Sequence, residues 1–223
     1  MKKIIDTILI LFLLSNWTFA QEINCVRKAY FGKTEICLPQ IEGYQECYSD
    51  SIVKQVADGT EVPVNMVLGF YLNNETFEKK DSLGLFSFDN YFKVYGTKQI
   101  KDYKANYELL KQMQDVLAGN FISKNWELML KEIDKIGLEL EIGVPTVIKT
   151  YNLNKNSFTY VMLARYEIEG VEPYTMAMTI NGLLINERLI WMAYYLNYNG
   201  DKTILELQEK SNTILTKLLR TEK

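Results

Sequence analysis

The chain of 223 residues is long enough to bury one substantial core, and nothing in its length requires a second domain. Its 25 basic and 28 acidic side chains give a formal charge of −3, so it presents no broad basic surface for a phosphate backbone, and nucleic-acid roles are disfavoured. It contains no histidine, which removes Ser-His-Asp and Cys-His catalysis, histidine-rich metal sites and the usual acid–base side chain near neutral pH.

At the N-terminus, Lys2 and Lys3 precede an apolar run from Ile8 to Leu14, and Thr18 and Ala20 stand three and one positions before a cleavage point. This predicts a signal peptide over residues 1–20 and a mature single α+β domain over 21–223, exported to the periplasm or outside the cell. An uncleaved anchor is the competing reading. The run is short for a bilayer span and no basic stop-transfer cluster follows it. No other stretch is long and apolar enough to cross a membrane, so no stable insertion is expected after cleavage.

The three cysteines, Cys25, Cys37 and Cys47, lie close to the mature N-terminus. An odd number leaves one thiol over. A short hairpin through Phe31-Gly32-Lys33-Thr34 brings the strands of Cys25 and Cys37 together, which predicts that pair as the disulfide and Cys47 as free. Cys47 is then either buried and inert or available for an intermolecular bond. The inert reading is preferred, since free cysteines are commonly buried.

After the hairpin, Asn24 to Leu38, the chain reads as a short helix around Tyr44 to Val56 and a strand from Val64 to Leu72. In that strand Val64, Met66, Leu68 and Phe70 share one parity and Val67, Gly69 and Tyr71 the other, with Gly69 marking a bulge or a close backbone approach. A loop from Asn73 to Leu83 follows; its Asn74-Glu75-Thr76 is a glycosylation sequon only in a eukaryotic cell. Next comes the most ligand-like patch of the chain, where Phe86, Phe88, Tyr91, Phe92 and Tyr95 lie near Asp89 and Asn90. Tyr71, Phe88, Asp89, Asn90, Tyr91 and Tyr95 are the candidate residues for a ligand or partner groove. The competing reading makes Phe92 and Val94 part of a core strand with Tyr91 and Tyr95 half exposed, and the pattern favours it.

Helical periodicity runs from Lys101 through Tyr103, Tyr107, Leu110, Met113 or Gln114, and Leu117, with Gly119 as C-cap. A second helix, Lys124 to Ile136, aligns Trp126, Met129, Leu130, Ile133 and Ile136. Residues 138–144 alternate as an edge strand or an extended connector up to Pro145, and Val147 to Tyr151 forms another strand. From Phe158 to Ile168 a strand alternates in period 2, a turn spans residues 169–173, and a second strand starts at Tyr174. Two turns compete after it. Asn181-Gly182 is the stronger hairpin dipeptide, but it strands Leu183-Leu184-Ile185; turning at Asn186-Glu187 makes one long strand, with a bulge at Gly182, and is preferred. Leu189 to Leu196 is apolar in both parities, as a strand covered on both faces requires, so Trp191 and Tyr195 read as core. A final helix enters at Thr203, where Thr203 and Glu206 have capping-box spacing, and buries Ile204, Leu207, Ser211, Ile214, Leu215 and Leu218.

The fold class expected is α+β, a mostly antiparallel sheet covered by helices in an α/β/α sandwich-like arrangement, with an N-terminal β-hairpin. The order of the last third, strand, long strand, Leu183-Leu184-Ile185-Asn186-Glu187-Arg188-Leu189, apolar strand and terminal helix, together with the early hairpin ending in Leu38-Pro39, resembles the PsbP-like α/β/α sandwich proteins. The resemblance implies architecture alone, because it carries no catalytic motif. There is no Gly-rich phosphate loop, G-x-S-x-G elbow or calcium loop, and no cofactor or metal is expected. The leading expectation is an exported non-catalytic binding or accessory protein for a protein, peptide or small molecule. An inhibitor or immunity-type protein is one alternative; a hydrolase using paired carboxylates is the other.

Overall fold

The structure, a computed structural model, describes residues 24–80, 90–118, 121–135, 140–168 and 170–221. The expected signal peptide, Phe86, Phe88, Asp89, Gly119, Ile136 and residues 138–139 lie outside them. A two-stranded hairpin, β1 (Cys25–Phe31) with β2 (Thr34–Pro39), precedes an eight-stranded sheet. The sheet's first members are β3 (Tyr44–Glu46), β4 (Asn65–Asn73) and β5 (Asn90–Thr97), and its later ones β6 (Leu140–Ile142), β7 (Thr146–Tyr151), β8 (Ser157–Ile168), β9 (Val171–Ile185) and β10 (Arg188–Asn197). Their order is β3-β4-β5-β10-β9-β8-β6, β7 sharing the outer edge of β8, and every pairing is antiparallel. The helices are α1 (Ser51–Gly59), α2 (Asn74–Lys79), α3 (Tyr107–Ala118), α4 (Phe121–Lys124), α5 (Trp126–Asp134) and α6 (Asp201–Leu219). This is the expected α+β class. No helix among the described residues is long and apolar enough to cross a membrane.

The centre of the sheet follows from β9 and β10. They turn at Asn186-Glu187, both at positive φ (48° and 58°), the two-residue geometry that matches strand twist. β9 runs through Gly182 without a break in register, so the expected bulge there is absent. Gly182 is needed for space instead: a Cβ would stand 2.4 Å from the Phe158 ring, which lies across it. β10 is inserted between β5 and β9, which explains its apolarity in both parities.

One face of the sheet is sealed by α6 and the β1–β2 hairpin. The alternation Thr159, Thr179, Asn181 has the look of a solvent-facing side, yet all three are fully buried there. The Asn181 amide donates to Thr179 Oγ1 (3.1 Å) and the Met192 carbonyl (2.9 Å) and accepts from Thr159 Oγ1 (2.7 Å), while Thr179 bonds Ser211 of α6 (3.0 Å). Each group is satisfied, so the polar cluster fixes the seat of α6 without an unpaired donor. α6 itself starts at Asp201, ahead of the expected capping box. Thr203 is buried and accepts from the Asn199 N–H (3.0 Å).

Other boundaries moved for local reasons. Asp50 caps α1 by accepting from the Ile52 and Val53 N–H groups, so the helix starts at Ser51 and Tyr44–Glu46 is free to pair with β4. Asn73 caps the short α2, inside what the sequence reads as loop. A 3₁₀ turn at Lys98–Ile100 and the bond from Ala105 N–H to the Glu187 carbonyl (2.8 Å) hold residues 101–106 out of α3, and Tyr103 is exposed. The second expected helix is α5, and the one-turn α4 stands just ahead of it, sharing only Lys124 with the expected span.

The largest departure is in β4. Its ladder with β5 shifts between Val67 and Gly69, leaving Leu68 as the extra residue of a bulge. Met66, Leu68 and Tyr71 therefore face the α6 side, and Val67, Phe70 and Leu72 the opposite side against α1. Arg27, paired with Glu46 through two bonds (2.7 and 3.1 Å), donates to the Leu68 carbonyl, and Glu46 accepts from the Phe70 N–H (3.3 Å). Arg27 of the hairpin and Glu46 of β3 thus satisfy backbone groups that the bulge frees.

Cys25 and Cys37 form the disulfide, with Cα atoms 5.4 Å apart. Cys47 is free and buried, and its thiol donates to the Phe70 carbonyl (3.3 Å). Burial pushes its pKa up to about 12, which leaves little thiolate for chemistry at neutral pH.

Candidate functional site

The face opposite α6 is a grid of side chains set by the ladders. Across β4, β5, β10, β9 and β8 one row reads Val67, Tyr95, Trp191, Gly182, Phe158; the next reads Phe70, Lys93, Ala193, Ile180, Tyr160; the third reads Leu72, Tyr91, Tyr195, Met178, Met162. α3 packs on the β8–β9 end of this grid. At the β4–β5 end the rings stack in series, Phe70 on Tyr91 (5.2 Å) and Tyr91 on Tyr195 (4.7 Å).

Lys93 is the one charge in these three rows, and the small Ala193 beside it leaves room for its stem. Its ammonium lies 5.3 Å from the Tyr95 ring centre and 6.0 Å from that of Tyr195, and donates to Glu61 Oε2 at 2.6 Å. The two side chains are only 12% and 7% exposed. Burial, the largest single influence, works against the Lys93 ammonium, but the charge and hydrogen bond of Glu61 together with Tyr91 and Tyr166 outweigh it, and the pKa lies above the ordinary lysine value. Lys93 therefore stays a cation and is no amine nucleophile. Burial likewise raises the Tyr91, Tyr95 and Tyr195 hydroxyls above their usual range.

Glu61 connects this buried pair to the surface. It lies in the connection between α1 and β4, where Oε1 also accepts from Asn65 Nδ2 (2.9 Å) and the Val62 N–H (3.1 Å). Above it opens a cleft of about 460 Å³, lined by Tyr48, Asp58, Gly59, Glu61, Val62, Pro63, Asn65, Met66, Val67, Lys98 and Lys135. Asp58 is held in its own cluster: Tyr48 donates to Oδ1 (2.7 Å) and Lys54 to Oδ2 (2.6 Å), with the Lys54 ammonium 4.3 Å from the Tyr48 ring centre. Among the described residues no three His, Cys, Asp or Glu side chains come together as metal ligands.

The candidate patch read from the sequence is divided by this geometry. Tyr71 is fully buried on the α6 side, stacked on Phe92 (4.2 Å) and donating to the Pro39 carbonyl (3.1 Å). Asn90 points the same way and accepts from the hydroxyls of Tyr44 (2.7 Å) and Tyr194 (3.2 Å). Tyr91 and Tyr95 lie on the other face, half-buried beside Lys93. Phe88 and Asp89 are outside the described residues. Glu61, Lys93, Asn65 and Lys98 went unselected, and the one available signal was Lys93 between two tyrosines of like parity.

No family model matches the chain, and no curated protein is similar to it. Among solved structures, the 1.9 Å crystal structure of the Saccharomyces cerevisiae Ran-binding protein Mog1p is similar, at 10% identity over 89% of this chain and 94% of that one, with a TM-score of 0.36. A likeness of that degree transfers no residue role, so the site stands on its own side chains.

Proposed function

We propose that the chain is an exported, non-catalytic binding or accessory protein that holds a small ligand in the cleft above Glu61. The cleft itself carries this reading: its volume falls within the range of small-molecule sites, and fixed polar groups meet in it beside the apolar Val62, Pro63 and Val67. The leader-like residues 1–20 and the Cys25–Cys37 disulfide, a bond that persists in oxidising compartments, support export. The PsbP-like architecture belongs to the same proposal and is supported by the hairpin, the antiparallel sheet and the C-terminal helix on one face.

A paired-carboxylate hydrolase is the weaker alternative. Asp58 and Glu61 share the cleft, but Lys54 and Lys93 already neutralise them, and an acid–base pair needs one carboxyl held protonated. An inhibitor or immunity-type role is also a binding function, and a cleft of this size suits a small molecule better than a folded partner.

Gly59 offers the test, because a Cβ built there meets nothing within 4 Å. Native mass spectrometry of the mature protein, purified from the cells that make it, is expected to find a stoichiometric small-molecule adduct. Gly59→Trp, which fills the cleft, is expected to lose the adduct at an unchanged unfolding temperature. An adduct kept by Gly59→Trp overturns the site; protein without adduct in either form overturns the reading.

A further inference from the structure

We propose that the ligand of this cleft is an organic carboxylate with a compact apolar body, a deepening that rests on the cleft being the binding site. The polar groups around the cleft differ in the hydrogen-bonding capacity they have left. All four carboxylate oxygens are engaged internally: those of Asp58 by Tyr48 and Lys54, those of Glu61 by Asn65, the Val62 N–H and Lys93. Each acid thus has its own lysine, and a cationic ligand has to compete with a positive charge already in place.

Donors, by contrast, are in excess. The exposed Lys98 ammonium uses one proton on the Pro63 carbonyl (2.7 Å) and has two more. Asn65 gives one amide proton to Glu61 and accepts from Thr97 (3.1 Å), so its second amide proton is the remaining capacity of that side chain. A carboxylate between Lys98 and Asn65 accepts from both, one of the bonds being charge-assisted. Val62, Pro63 and Val67 supply the apolar wall for the rest of the molecule.

Three probes of one shape separate the possibilities: benzoate, benzamide and benzylammonium, titrated into ¹⁵N-labelled mature protein and followed by amide shifts. The expected order is benzoate, then benzamide, then benzylammonium, with shifts centred on Asn65, Met66 and Lys98. Lys98→Gln, an exposed substitution, is expected to weaken benzoate roughly tenfold, the size of one charge-assisted bond over a neutral one, and to leave benzamide unchanged. Benzylammonium binding as well as benzoate, or benzoate indifferent to Lys98→Gln, overturns the carboxylate assignment while the cleft stands. No shift at cleft residues with any of the three probes overturns the cleft as a site.

Discussion

Alternate residues of the same strands build the two faces of the sheet, yet the seat of α6 and the surroundings of Lys93 bury their polar groups by opposite means. Under α6 the polar groups are neutral and satisfy one another: Thr159, Thr179, Asn181 and Ser211 form a closed set with no exposure. On the other face Lys93 and Glu61 bury opposite charges among half-exposed rings, and the pair is continuous with an open cleft. A neutral network can seal a helix onto a sheet because it needs nothing from outside. A charged pair must be held by its surroundings, and here the surroundings end at solvent.

Adjacent residues of β5 give the largest test of that difference. Phe92→Ala removes a fully buried ring stacked on Tyr71 and is expected to cost about 4 kcal/mol in urea unfolding, whereas Tyr91→Ala, half-buried on the cleft side, costs about 2 kcal/mol. Equal losses at the two positions contradict the distinction. Next in size, Glu61→Ala strands the Lys93 ammonium and is expected to cost about 3 kcal/mol, while the double change Glu61→Leu with Lys93→Met returns to within about 1 kcal/mol of the parent. A double variant no better than the single one contradicts the coupling.

The smallest effect appears with pH and touches both faces. Burial raises the pKa of the Cys47 thiol, of Tyr71 and Tyr194 on the α6 side, and of Tyr91 and Tyr195 on the other. A raised folded pKa means that the unfolded chain releases its proton first. The stability is intact below the ordinary thiol value of 9.0 and falls as pH rises towards the folded value. Cys47 starts to titrate first and contributes about 1 kcal/mol of the fall between pH 9 and 10, the part that Cys47→Ala removes; the tyrosines add to the fall in the same interval and steepen it above pH 10. Denaturant unfolding that is level from pH 8 to 10 in the parent contradicts the assignment.

What could be read in the sequence was local. The two-parity apolarity of Leu189 to Leu196, the stranded Leu183-Leu184-Ile185 and the short span between Cys25 and Cys37 each pointed to a feature that the fold contains. What escaped depended on contacts distant in the chain. Glu61 and Lys93 are 32 residues apart and share no period, so their pairing has no signature. Tyr71 was placed by parity, and parity is lost at Leu68 because a bulge counts two residues against one. The polar parity of β9 carries no sign of its burial, because sequence does not reveal that Ser211 supplies its partners.

The β4 bulge also fixes how this protein can change in length. A connection such as residues 152–156 can gain or lose a residue while the strands on either side keep their partners. Removing Leu68 has no such outlet. It would exchange Phe70 and Tyr71 between the two sides of the sheet, turning a hydroxyl towards α1 and emptying the place under Phe92. Descent with insertions and deletions can therefore remodel the rim of this molecule freely, but at β4 the count of residues is itself part of the inherited structure.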